Sequence, residues 1–295
     1  MGRRPEQRHR AGGRLGVLQG VHRDPIGHGA DSPRSGRLVR RAGGETELTE
    51  QRAVDGLHLE VDGGVVVATI DRGEANLVSM EMCGALTDLL FDPPAGTRVL
   101  HLRAAPPVFC LGRDRGATDE DGLRVEAETL VALNRALREG RLLTVAEVGG
   151  DAAGYGVGLA ALCDLSFTAP SARFWFPEVD AGLAPTVVLA WLPSLVSRTH
   201  AFRLTATGAR VDGREAARLG LVTAVAERDE DLSALVTAEI GRLLSRSEHA
   251  QSEIRSFLRD SAGADAETVD RLAVDRLVAN SLFLRRVAGG ELADR

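Results

Sequence analysis

Beyond residue 56 the apolar positions switch between a period of two and a period near 3.6, and the switches mark out elements. Residues 57–60 (LHLE) and 65–70 (VVVATI) read as two strands joined by Asp62-Gly63-Gly64, a hairpin turn. Residues 80–90 take helical spacing and stop ahead of Pro93-Pro94. A strand at 98–103 precedes an amphipathic helix at 123–137, and strands at 143–148 and 165–169 flank a short helix at 157–163. Residues 212–219 and 231–244 read as further helices. From 253 to 285 the apolar residues Ile254, Phe257, Leu258, Val269, Leu272, Leu277 and Phe283 recur at roughly helical spacing. Strands alternating with helices predict a layered α/β fold. Residues 1–50 are different: rich in Arg, Gly, Pro and His, without apolar periodicity, they predict a disordered extension that buries no core.

Composition agrees with a globular enzyme. Without the extension roughly 240 residues remain, enough for one large core. Hydrophobic content is 44% and mean hydropathy −0.06. No apolar run nears the roughly 20 residues that span a bilayer, and the basic N-terminus lacks the apolar stretch of a signal peptide. Three unpaired-looking cysteines, Cys83, Cys110 and Cys163, predict reduced thiols in a cytoplasm. Charge changes the picture more. Residues 1–44 carry ten arginines against Glu6, Asp24 and Asp31, a net +7, which leaves −13 of the total −6 for the rest. An acidic body argues against nucleic acid as partner. All 36 basic residues are arginine, so lysine Schiff bases and lysine general bases are excluded.

Three segments carry candidate chemistry. Val108-Phe109-Cys110-Leu111-Gly112-Arg113-Asp114 is an apolar strand that breaks at a glycine. Residues 148–164 (VGGDAAGYGVGLAALCD) run as strand, glycine-rich bend and apolar helix. Phe174-Trp175-Phe176-Pro177-Glu178 ends an aromatic run in a carboxylate. Glycine after a strand permits a tight turn and close approach to a ligand. Two such bends can each offer a backbone N–H, and a helix starting at the second adds its positive end. That suits a carbonyl oxygen that gains negative charge. Phe174, Phe176 and Glu178 share strand parity, which predicts an apolar wall around the carboxylate and a raised pKa. Other signals are weak. The histidines lack metal-ligand spacing, so no metal and no separate cofactor are expected. The run Gly154-Tyr155-Gly156-Val157-Gly158 does not have dinucleotide-binding spacing, and no G-x-S-x-G elbow occurs. Cys110 reads as a packing residue rather than a nucleophile.

In order and interval these segments resemble the crotonase (enoyl-CoA hydratase/isomerase) superfamily over about residues 57–245. IDRGEANLVS (70–79) is similar to the family's coenzyme A loop, and LTATGARVDGREAARLGLVTAV (204–225) to its TG…EA…GLV segment. The resemblance implies a crotonase-like spiral of ββα units over 51–245, and a C-terminal helical segment over 246–295 that packs homotrimers or hexamers. It implies an acyl-CoA or acyl-carrier thioester as substrate, with coenzyme A entering only as part of it. The N–H groups of Arg113 and Tyr155 then hold an enolate oxygen, and Glu178 is the acid/base. Arg72, Ala75, Asn76, Leu111, Gly112, Asp114, Gly154, Gly156, Gly158 and Phe176 line the substrate. There are departures. Tyr155 stands where glycine is common, and Gly158 stands where hydratases carry a second glutamate, five residues before Cys163-Asp164. Residues 182–196 (GLAPTVVLAWLPSLV) lack the Gly-Gly-Thr run common in hydratases. One base suffices to move a proton from carbon 2 to carbon 4, so the reading favours double-bond isomerisation over hydration, then decarboxylation. A non-catalytic thioester-binding subunit is the competing class. Asp114, Asp119, Glu120 and Asp121 are the acids that could replace the missing carboxylate.

Overall fold

The computed structural model of the chain describes residues 54–289, and the extension predicted at 1–50 lies outside them. The strands are β1 (Leu57–Asp62), β2 (Val65–Ile70), β3 (Val99–Ala104), β4 (Leu143–Val148), β5 (Ala152–Ala153), β6 (Leu165–Thr168), β7 (Arg173–Trp175), β8 (Val211–Asp212) and β9 (Ala224–Val225). The first helices are α1 (Met80–Phe91), α2 (Glu120–Glu139) and α3 (Tyr155–Ala161). Two single turns, α4 (Thr186–Leu189) and α5 (Leu192–Leu195), precede α6 (Arg198–Thr207), α7 (Gly213–Leu219), α8 (Leu232–Leu244), α9 (Glu248–Asp260) and α10 (Ala266–Ala288). Six strands form one sheet in the order β1-β2-β3-β4-β6-β9, parallel except for the β1–β2 hairpin. A small second sheet runs β5-β7-β8. This mixed α/β architecture is the layered α/β fold that the apolar pattern predicted, and it is crotonase-like, as the resemblance implied.

The β-branched run of β2 alternates cleanly, with Val66, Ala68 and Ile70 sealed in the core. Helix α1 begins at Ser79, whose side chain accepts from the Met82 N–H. Helix α2 begins at Asp119, which accepts from the Gly122 N–H, and packs on α1 through Leu130, Leu133 and Leu137. Each such leucine contributes roughly 1.5–3 kcal/mol when buried.

The apolar stretch at 253–285 falls on two helices, divided by a turn at Gly263. Helix α9 is tied to the core by Arg255, which donates to the Leu137, Gly140 and Leu142 carbonyls at the end of α2 and lies 2.8 Å from Asp164. Helix α10 packs on α9, with Arg276 bridging Glu253 and Asp260 and Phe283 stacked on His249. Helix α6 had no counterpart in the periodicity. Among the described residues no helix is long and apolar enough to cross a membrane.

Candidate active site

The three sequence segments meet because their backbones pair. Residues 109–112 and 151–154 run side by side: the Phe109 and Cys110 N–H groups both donate to Asp151 O, and Ala153 N–H donates to Cys110 O at 2.8 Å. Strand β5 then pairs with β7, and Gly154 N–H donates to Trp175 O at 3.0 Å. The chain leaves β7 through Phe176 into a 3₁₀ turn, Pro177–Ala181, which carries Glu178. A fourth segment joins them. In the 70–79 loop, Val78 N–H donates to Gly112 O, Asp114 N–H to Val78 O, and Leu111 N–H to Ala75 O.

Both bends need glycine. Gly112 has φ +133° and Gly154 φ +51°, conformations that cost a side-chain-bearing residue steric strain. At Gly154 space is limiting as well, since a Cβ there would stand 2.9 Å from Glu178 Oε1. The catalytic carboxylate expected from sequence is therefore packed against the bend. Gly156 lies just as close to the first segment, because a Cβ on it would meet Cys110 O at 2.1 Å.

The two N–H groups expected to act as donors are available. Among the described residues, neither Arg113 N–H nor Tyr155 N–H donates to a protein acceptor. Tyr155 is the first residue of α3, where a free N–H is a property of the helix end. Its side chain does not crowd the bend: the ring is buried between helices and its hydroxyl donates to Leu130 O at 3.0 Å. Tyrosine in place of glycine thus leaves the main chain of the bend free to face a ligand.

Glu178 is half-buried, and its Oε2 has no hydrogen-bond partner among the described residues. Burial raises its pKa above the ordinary carboxylate range, opposed by its own backbone N–H and by the charge of Arg115. The expected apolar wall is present, with Phe174 and Phe176 fully buried. The strand parity invoked for it is not, because β7 ends at Trp175 and Glu178 sits in the 3₁₀ turn.

Gly158 lies one turn along α3 from Gly154, on the same face. A Cβ there would be 3.3 Å from Cζ2 and 3.8 Å from Nε1 of Trp191, a buried residue between α4 and α5. The place where a second carboxylate would stand is covered by an indole. Three of the four loop acids are occupied elsewhere. Asp114 pairs with Arg72, Asp119 caps α2, and Glu120 pairs with Arg124 at 3.4 Å; Asp121 is exposed in the first turn of α2.

Residues 60–283 match the sequence profile of the enoyl-CoA hydratase/isomerase family. The chain belongs to that family. A probable enoyl-CoA hydratase of Rhodobacter capsulatus is 32% identical over 56% of this chain and 66% of its own length, just under two thirds of that relative. The cyclohexa-1,5-dienecarbonyl-CoA hydratase of Thauera aromatica is 29% identical over 75% of this chain and 88% of its own. A crystal structure from Thermobifida fusca YX, described as a candidate enoyl-CoA hydratase in complex with CoA, superposes with TM-score 0.70 at 26% identity, covering 78% of this chain and 95% of that one.

Several of the expected positions also have parts in holding the site together. Asn76 is fully buried at φ +45°; its side chain accepts from Arg72 N–H and donates to the Ala105 and Val108 carbonyls. It holds the 70–79 loop in place, a role the motif did not reveal. Arg72 is partly exposed and bonded to Leu77 O and Asp114, so it braces the same loop against the segment after Gly112. Leu111 and Gly112 form the first bend itself. Cys110 is sealed, its thiol pushed up to about 12 by burial, as a packing residue should be. Trp191 and Glu126 escaped the sequence reading, since each acts on a segment distant along the chain.

Proposed function

We propose that the chain shifts the double bond of an enoyl-CoA thioester through an enolate. The Arg113 and Tyr155 N–H groups hold the thioester oxygen, each contributing roughly 2.7–4 kcal/mol as its charge develops. Glu178 takes a proton from carbon 2 of a 3-enoyl thioester, and the electrons of that C–H bond delocalise onto the oxygen. The protonated Glu178 then delivers the proton to carbon 4, leaving a 2-enoyl product. No water is consumed.

The observation that carries this reading is the Trp191 indole over Gly158. Hydration needs a second group to orient and deprotonate water, and an indole ring beside Gly158 offers an apolar surface instead. The desolvated state of Glu178 supports its part, because a base working near neutral pH benefits from a raised pKa. Hydration is the second reading, favoured by the probable hydratase of Rhodobacter and the hydratase of Thauera among the relatives.

The deciding experiment incubates 3-enoyl-CoA and 2-enoyl-CoA separately in oxygen-18 water and follows mass. Interconversion of the two without label supports isomerisation. Labelled 3-hydroxyacyl-CoA formed faster than double-bond migration sinks it. A malonyl-type thioester in the same panel reports decarboxylation.

A further inference from the structure

Glu126 lies in the second turn of α2, a buried carboxylate with no counterpart among the motif residues. Its Oε1 accepts from Gly116 N–H at 2.9 Å and from Ala117 N–H at 2.7 Å. Its Oε2 receives the Arg113 guanidinium at 2.5 Å. The backbone N–H of Ala117, then that of Gly116, then Arg113 hold its pKa below the ordinary range, so the carboxylate is charged and fully engaged. One side chain therefore collects three donors from a five-residue stretch that begins at an oxyanion donor.

The consequence lies at Arg113. Its N–H is useful only if the peptide plane between Gly112 and Arg113 keeps its orientation, and a glycine at φ +133° does not by itself fix that plane. Val78 holds it from one side, donating to Gly112 O of that same peptide and accepting from Asp114 N–H. Downstream, among the described residues, Glu126 is what ties the backbone of residues 116–117 to a rigid element. Glu126 also anchors the side chain of the donor residue itself. An exposed loop attached to a buried charge is costly to displace, since freeing the carboxylate leaves it unpaired.

We infer that Glu126 is a positioning residue that orients the Arg113 N–H of the oxyanion hole from the loop side, acting only through the 113–117 loop. This rests on the proposed enolate chemistry.

The test uses the full chain and three variants: Glu126→Gln, Glu126→Asp and Arg113→Met. Gln keeps the shape but turns an N–H₂ toward the Arg113 guanidinium or toward the loop N–H groups. Asp keeps the charge on a shorter stem. Met keeps the backbone N–H and removes the tether from the side chain. The readouts are the red shift of a conjugated aryl-enoyl-CoA on binding, which reports carbonyl polarisation, the exchange of carbon-2 protons of acyl-CoA with deuterated water, and the dissociation constant for CoA esters. Glu126→Gln is expected to bind the ester within about twofold of wild type while losing most of the red shift and slowing exchange about 10–100-fold. Arg113→Met should move both in the same direction by less, and Glu126→Asp should recover part of the loss. If Gln fails to fold, Arg113→Met and Asp carry the test. A full red shift and unchanged exchange in folded variants, with only a lower melting temperature, would overturn the inference and leave the oxyanion hole intact. Absence of both signals in the wild-type chain would instead overturn the enolate reading, and this inference with it.

Discussion

At the scale of single residues, a carboxylate oxygen without a partner is an expense of the fold that chemistry can use. Glu178→Gln keeps the shape and removes the proton carrier, so turnover is expected to fall by roughly 10²–10⁴-fold with ester binding retained; turnover within twofold of wild type would remove Glu178 from the mechanism. The same variant makes a stability prediction. Burial raises the folded-state pKa of Glu178, so the fold favours its protonated form. That advantage is complete at pH below the unfolded-state value and is lost as pH rises through the folded-state value. Glutamine stays neutral throughout. At pH 8 Glu178→Gln should therefore melt above wild type, and at pH below the ordinary glutamate range the two should coincide. In activity the sign is the converse: the base must be ionised, so the acid limb of the wild-type profile should sit above the ordinary glutamate range. Gly158 supports a third test. Gly158→Ala asks Trp191 to yield by a few tenths of an ångström, whereas Gly158→Glu requires the indole to leave its place. The alanine variant should fold and turn over near wild type. The glutamate variant should lose several degrees in melting temperature and gain no hydration, and a stable, hydrating Gly158→Glu would show that the indole is not what blocks the second carboxylate.

At the scale of elements, the arrangement depends on a few ties between segments far apart in sequence. Arg255 is the clearest, binding three carbonyls at and just after the end of α2 and the Asp164 carboxylate. Burial raises the pKa of Asp164, and Arg255 is the foremost influence opposing it. Arg255→Met removes the ion pair from Asp164, which keeps only its bonds from Thr144, and leaves the carbonyls at the end of α2 without their donor. Thermal or denaturant unfolding should show a loss of roughly 2–4 kcal/mol, less than for a fully buried pair because both groups keep some solvent; a loss under 0.5 kcal/mol would mean that α9 is not held through this residue. Ties of this kind explain what was legible in the sequence. The strands at 143–148 and 65–70 could be read because β-branched alternation is local, and α1, α7 and α8 because 3.6-periodicity and caps are local. The site segments were readable because glycine bends after strands leave a fixed order of residue types. The 3₁₀ turn around Glu178 defeated the parity argument, since a proline at the end of an aromatic run changes the backbone where alternation alone would continue it. Trp191 over Gly158 and Glu126 under the 113–117 loop join residues 33 and 13 positions apart, respectively. No period or motif within either segment reports such a contact.

At the scale of the whole molecule, two regions lie beyond the catalytic body, and they call for opposite expectations. Residues 1–50 carry charge and glycine but no periodic apolar face, so deleting them should leave the melting temperature and CoA-ester affinity unchanged; a loss of several degrees would show the segment integrated into the fold. The C-terminal end is the reverse case. On α10 Val269, Leu272 and Phe283 are half-buried, Phe283 against His249 of α9, yet Val274, Leu277, Val278, Leu282 and Leu284 remain open to solvent. On α9, Ile254 and Leu258 are open as well, and Leu277 is 68% exposed. A monomeric soluble chain seldom leaves so many large aliphatics on one pair of helices, and such patches mark association surfaces. The expected occupant is a second copy of the chain, in a closed ring where each protomer gives and receives the same contact. Light scattering after gel filtration should give a mass near three or six times 31.3 kDa. Leu277→Glu with Leu282→Glu should shift that mass to the monomer while circular dichroism keeps its α/β signature, because neither side chain contributes to the core. A wild-type chain that runs as a monomer at micromolar concentration, or a double variant that keeps the full assembly mass, would show that α10 serves another purpose.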